Sequence, residues 1–212
     1  MDIPSMEVLR GLVAQMDLED MPDETLNTIL VKACQYLATR KRVPLPVFQA
    51  KLKIAPVVSI ELVTVYRKTW GEPEFLMWQR PTNDLGFPGQ WHCAGTTLLN
   101  QETVAEKFAA LGAADETDLP VADSSLRFAG WVNMPKEMRA HYASPVFVRH
   151  LTSKPEEARG TWITEGNLRN YSLVASHRDA IIPMALRMIS LGTGALPCWT
   201  EYVPGQPFVA KF

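Results

Sequence analysis

Apolar residues in the first fifty positions recur at helical spacing. Ser5 is placed to cap a short helix carrying Met6, Leu9, Leu12 and Val13, and Asp23, after Pro22, to cap a second. In that second helix Leu26, Ile29, Leu30, Ala33 and Leu37 fall on one stripe. Two short amphipathic helices cannot bury such stripes alone, so they are expected to pack on the following domain or on a second copy of the chain, forming a homodimer. Val43-Pro44-Leu45-Pro46 then reads as an extended connector. Residues 1–50 are predicted to be a small N-terminal helical extension.

From Pro56 the pattern changes to strands. Residues 57–68 are rich in β-branched side chains, with Ile60, Leu62, Thr64 and Tyr66 on one side, and residues 74–80 follow across a turn as the second arm of a hairpin. Gly86, Pro88 and Gly89 break the next stretch into a loop, and a short strand at 90–94 leads into Gly95. Residues 102–114 are predicted helical, with Val104, Ala105, Phe108 and Leu111 inward. Strands are predicted at 126–133, 144–150 and 160–163. A final helix is expected at 177–190, with Ile181, Met184, Ala185 and Met188 on one face and Pro183 kinking it. The tail, 192–212, is expected to pack on the domain without forming an element. Residues 51–191 thus read as one α+β domain.

Composition narrows the class. At 212 residues the chain has room for one or two domains and needs no disulfide or metal staple. Its 47% hydrophobic and 21% charged residues exclude disorder of the whole chain. Lysine and arginine number 21 against 23 acidic residues, which gives no strong nucleic-acid signal. The one compact basic run, Arg40-Lys41-Arg42, reads as a solvated helix end. Cys34, Cys93 and Cys198 are far apart and match no zinc spacing, as in a reducing compartment. The first residues lack a signal-peptide pattern, and no stretch approaches 18 apolar residues. A cytoplasmic protein without membrane spans is the expectation.

The run Gly89-Gln90-Trp91-His92-Cys93-Ala94-Gly95-Thr96-Thr97, followed by Gln101-Glu102-Thr103 ahead of a helix, resembles the entry to a Nudix box. The resemblance extends through Arg127-Phe128-Ala129-Gly130-Trp131, Pro145-Val146-Phe147-Val148, Gly160-Thr161-Trp162-Ile163 and His177-Arg178-Asp179, covering about residues 57 to 190. It implies a Nudix-type α/β/α sandwich with a mixed central sheet. It also implies hydrolysis of a nucleoside diphosphate-linked or related diphosphate compound, dependent on Mg²⁺ or Mn²⁺. Clustered carboxylates hold the metals, which neutralise the diphosphate and lower the pKa of bound water.

Carried over residue by residue, the resemblance makes Glu102 and Glu116 candidate catalytic residues and Glu102, Asp115 and Glu116 candidate metal ligands. The box is degenerate. Counted without gaps from Glu102, its R-E pair falls on Ala110 and Leu111; with one insertion it falls on Leu111 and Gly112. Glu106, one turn after Glu102, reads as a surface residue. Arg80, Phe87, Trp91, Trp131 and His141 are the candidate substrate-binding residues, the aromatic ones placed to stack on a base. Arg149 ends a strand where it could meet phosphate. Cys93, with no histidine placed by sequence to activate it, reads as a buried apolar cysteine. Three functions stay open: a metal-dependent hydrolase, a Nudix-fold module that binds a nucleotide without hydrolysing it, and an interaction scaffold.

Overall fold

The computed structural model describes residues 22–38, 47, 50, 55–69, 71–98, 102–113, 126–155 and 159–212. The chain divides into two compact units, Met1–Pro44 and Leu45–Phe212. The expected helix near Ser5, the basic run 40–42, the connector 43–46 and the candidate ligands Asp115 and Glu116 lie outside the described residues.

In the first unit, helix α1 spans Asp23–Ala38. The Pro22 carbonyl accepts the backbone N–H groups of Thr25 and Leu26, and Asp23 and Glu24 place negative charge at the positive end of the helix. Along its stripe Leu26 and Ile29 are half-buried, whereas Leu30 is exposed.

The second unit is built on β1, Val57–Tyr66. Both faces of this strand are buried, and alternation sorts them. Val63 and Val65 join one core cluster, while Ile60 and Leu62 join another. Ser59 and Glu61 share the face of Val63 and Val65, so a carboxylate stands on an otherwise apolar row. The remaining strands are β2 (Glu74–Gln79), β3 (Trp91–His92), β4 (Ala94–Thr97), β5 (Leu126–Met134), β6 (Tyr142–Leu151), β7 (Thr161–Thr164) and β8 (Cys198–Glu201). They run in the order β3-β2-β1-β6-β5-β8, with β4 beside β1 and β7 beside β2. β1 pairs in parallel with β6, and β5 with β8; the other pairings are antiparallel, so the sheet is mixed.

The expected hairpin is short. Only Val65↔Phe75 and Tyr66↔Glu74 pair between β1 and β2; β2 pairs with β7 along its other edge from Glu74 to Met77, and its end, Trp78 and Gln79, pairs with β3. The edge of β1 thereby freed, Ser59 to Leu62, pairs with β4. One edge of a single strand is thus divided between two partners.

Helix α2, Val104–Ala113, places Phe108 and Leu111 on the Ile60–Leu62 face, and helix α3, Ile182–Leu191, places Met184, Ala185 and Met188 on the other. The second unit is therefore α+β, with a helix on each face of a mixed sheet. Pro183 does not kink a continuous α-helix. Residues His177–Ile181 form a π-helical turn, and the α-helix begins only at Ile182, so Pro183 sits in a first turn that needs no N–H from it.

The tail departs from expectation. Cys198–Glu201 is a strand that extends the sheet beside β5, and the backbone of Lys211 bonds Trp199 on its far side. Gly130, at φ +144°, permits this: a Cβ there would lie 1.7 Å from the Cys198 carbonyl oxygen. Trp131, a candidate for stacking on a base, is 44% exposed beside Trp199 in the register of β5 with β8.

Candidate functional site

A cavity of about 370 Å³, within the range of small-molecule sites, opens beside the paired segments of β1 and β4. Ser59 and Glu61 of β1, Gly95 to Thr97 of β4 and Lys107 of α2 form one part of its wall. Arg80 and Phe87 reach it from the loop after β2, Glu137 and Arg139 from the β5–β6 turn, and Ser176 and His177 from the entry to α3.

Asp84 organises the arginines. Its Oδ1 accepts the backbone N–H groups of Gly86 at 2.9 Å and Phe87 at 2.8 Å, closing an Asx turn, and also pairs with the guanidinium of Arg139. Its Oδ2 takes Arg80 Nη1 at 3.3 Å. Both guanidinium groups lie over the Phe87 ring, 5.5 Å from its centre for Arg80 and 5.0 Å for Arg139. Burial raises the pKa of Asp84. The bonds from Arg139, Phe87 and Gly86 outweigh that and hold the carboxyl well below the usual range. Two cations from loops distant in sequence, Arg80 and Arg139, are thereby fixed on one wall.

Glu61 lies deeper. Ser59 Oγ donates to its Oε1 at 2.9 Å, and His177 Nε2 stands 3.8 Å from its Oε2. Gly95 is its cross-strand partner, and a Cβ on Gly95 would fall 2.3 Å from Oε2. The backbone N–H of Cys93 donates to His177 Nδ1 at 3.1 Å, so the neutral ring carries its proton on Nε2. Burial first, then the charges of His92 and Arg80, keep His177 well below its ordinary pKa. His92, whose Nδ1 donates to the Cys93 carbonyl at 2.6 Å, is pushed down to about 4 by burial and by Arg80.

The candidate substrate residues separate here. Arg80 and Phe87 line the cavity. Trp91 instead packs edge-on against Tyr171, with ring centres 5.3 Å apart, and His141 Nε2 bonds Asn133 Oδ1 at 2.7 Å. Trp131 lies on the outer face of β5. Arg149, considered for phosphate, is buried on β6 with its Nη2 donating to Thr64 Oγ1 at 3.0 Å. Cys93 is fully buried with its sulfur 3.7 Å from that of Met77, and burial and the Glu61 charge push its thiol pKa up.

Helix α2 follows the run that resembles the entry to a Nudix box. Thr103 caps α2: its Oγ1 accepts the Glu106 N–H at 3.1 Å, while the Glu106 carboxylate accepts the Thr103 N–H at 2.7 Å. Glu106 is thus engaged in a capping box, as a surface residue. Glu102 pairs with Lys107 Nζ at 2.8 Å, and Lys107 is the α2 side chain on the cavity wall. Among the described residues no group of three or more His, Cys, Asp or Glu could hold a metal ion. Among the described residues the cavity wall carries three cations, Arg80, Lys107 and Arg139, and two carboxylates, Glu61 and Glu137.

Sequence reasoning missed Glu61, Arg139 and His177. Glu61 carried a signal, an acidic residue between Ile60 and Leu62 in a strand rich in β-branched residues. Arg139 carried none, because its role depends on Asp84 far away in sequence.

No family model and no curated protein matches the chain. Solved structures do. The chain is similar to the C-terminal domain of mouse MUTYH in complex with human PCNA, at 19% identity, covering 68% of this chain and 93% of that one, with a TM-score of 0.49. It is similar to the NUDIX domain of Shewanella oneidensis NrtR complexed with ADP ribose, at 14% identity, 68% and 90% coverage and a TM-score of 0.47. A MutT protein from Methanosarcina mazei gives 22% identity, 59% and 90% coverage and a TM-score of 0.44. The chain resembles Nudix domains in fold. The chemistry of the site rests on its own side chains. No helix among the described residues is long and apolar enough to cross a membrane.

Proposed function

We propose that the second unit is a binding module for a phosphate-bearing small molecule, a nucleotide or another diphosphate compound, held by Arg80, Arg139 and Lys107. The observation that carries this reading is the Arg80–Asp84–Arg139 arrangement over Phe87, which fixes two guanidinium groups on one cavity wall. Guanidinium groups match phosphate oxygens in pairs, and fixing them in advance lowers the entropy lost on binding. Lys107 adds a point charge from α2. Phe87 braces the arginines and lines the cavity.

Calorimetric titration with pyrophosphate and with ADP, in EDTA, tests the reading. Binding is expected without a divalent cation, and Arg139→Ala or Arg80→Ala should each weaken it by roughly 10- to 100-fold, about 1.5–3 kcal/mol for a hydrogen bond to a charged group. Equal affinity in wild type and both variants would refute it. Turnover that requires Mg²⁺ or Mn²⁺ and is lost in Glu116→Gln would replace the binding module with a metal-dependent hydrolase.

A further inference from the structure

Among the described residues, helix α2 covers one end of its sheet face and leaves the other open. Phe108 of α2 packs on Phe147, Phe147 on Phe128 and Phe128 on Trp131, with ring centres 5.0, 5.3 and 6.4 Å apart. This aromatic row runs out from under the helix, across β6 and β5, to β8 at the edge of the sheet. In the parallel register Trp131 is paired with Trp199, so the two side chains leave the same face, and they are 44% and 47% exposed.

Two charges flank the tryptophans. Lys211, whose backbone bonds Trp199 on the far side, holds its Nζ 4.5 Å from the centre of the Trp199 ring. Glu201, two residues along β8, leaves the same face as Trp199, because Cys198 and Thr200 are buried on the other. Trp131, Trp199 and Lys211 therefore lie in one line across three neighbouring segments, and Glu201 stands to one side of it.

Tryptophan is the residue type most enriched where a few side chains carry an interface. With one charge of each sign at its flanks, the face holds no excess charge to attract a polyanion or an anionic lipid surface. It is instead complementary to itself. A two-fold axis lying along the face, through the tryptophans and between Lys211 and Glu201, lays each tryptophan on its counterpart. It also sets Lys211 opposite the partner's Glu201, twice over. Two-fold dimers require such a patch, in which each contact occurs reciprocally.

We propose that the Trp131–Trp199 face is where two copies of this chain meet, joined by the tryptophans and by two reciprocal pairs between Lys211 and Glu201. The patch is small, so the dimer is weak and reversible. It involves none of the cavity residues and is independent of the anion reading.

Sedimentation equilibrium of the full chain, from dilute to near-saturating concentration, tests this. The average mass should rise from monomer towards dimer, and Trp199→Gln should weaken association by at least about tenfold. Lys211→Glu and Glu201→Lys each oppose like charges twice, and each should weaken association by about fivefold or more. Mixing these two variants restores opposite charges at both contacts, so the mixture should associate within about threefold of wild type. Both charges are on exposed side chains, so this pair gives the reading should Trp199→Gln fail to fold. A chain that stays monomeric throughout overturns the proposal, as does a dimer that none of the three substitutions weakens. Weakening by the charge variants without recovery on mixing overturns it too.

Discussion

Gly95→Ala isolates the contact on which the inner end of the cavity depends. The added Cβ would lie 2.3 Å from Glu61 Oε2 and 2.9 Å from its Cδ. On an exposed glutamate the end of the side chain would swing aside at little cost. Here Glu61 is 6% exposed, Ser59 holds Oε1, and β4 is bound in register with β1 directly opposite. The whole carboxyl group must move, so the cost is that of overpacking, about 1–3 kcal/mol. For a chain of this size that is a fall in Tm of roughly 2–12 °C. Glu61→Ala removes the obstacle. In that background the same change at Gly95 should be neutral or should stabilise by about 0.4–1 kcal/mol, through loss of glycine's freedom in the unfolded chain. A double-mutant cycle by urea unfolding reads the difference directly, and a coupling of at least 1 kcal/mol is expected. An equal cost of Gly95→Ala in both backgrounds would refute the argument, since the clash would then lie elsewhere.

Other perturbations follow from neighbouring contacts. Asp84 has its pKa depressed in the folded state, so its contribution to stability is fully present above the ordinary value of 3.8 and is lost as pH falls towards the folded one. The gap in urea midpoint between wild type and Asp84→Asn should therefore be constant from about pH 7 to 5 and narrow progressively as pH falls below about 4; a gap as wide at pH 2 as at pH 7 would contradict the ion-pair account. His92 is also depressed, from 6.5 to about 4, so the neutral ring stabilises the fold above 6.5 and is lost as pH falls through that interval. That difference corresponds to about 3 kcal/mol, and His92→Gln should flatten the stability profile between those pH values. Thr103→Ala should cost about 1 kcal/mol by removing the cap of α2, measured as a lower urea midpoint at unchanged slope. Gly130→Ala, which drives a Cβ into the Cys198 carbonyl, should detach β8 from β5 and expose the amide of Tyr202, bonded to the Asn133 carbonyl at 2.8 Å, to hydrogen exchange.

How far the fold was legible in the sequence depended on whether a signal was local. Period and turn chemistry marked β1, β2, β5, β6, α2 and α3, because alternation and helical stripes are written within each segment. The tail strand was not legible: Cys198 to Glu201 follows Pro197 in a proline-containing stretch, and it is a strand only because Gly130, almost seventy residues earlier, lets β8 approach β5. The π turn at His177 was equally hidden, since it places an imidazole at the cavity, a tertiary reason with no periodic signature. The site divides along the same line. Arg80 and Phe87 flank a loop whose breakers are visible in sequence, whereas Arg139 matters only because Asp84 meets it in space. The resemblance directed attention to the carboxylates of the box, yet the residue that α2 turns towards the cavity is Lys107, and the acidic group beneath it comes from the central strand. A carboxylate in a strand buried on both faces costs stability unless its surroundings provide donors. Ser59 and the space above Gly95 accommodate that cost, and it is this accommodation, more than the remnants of the box, that makes the inner cavity a place for chemistry.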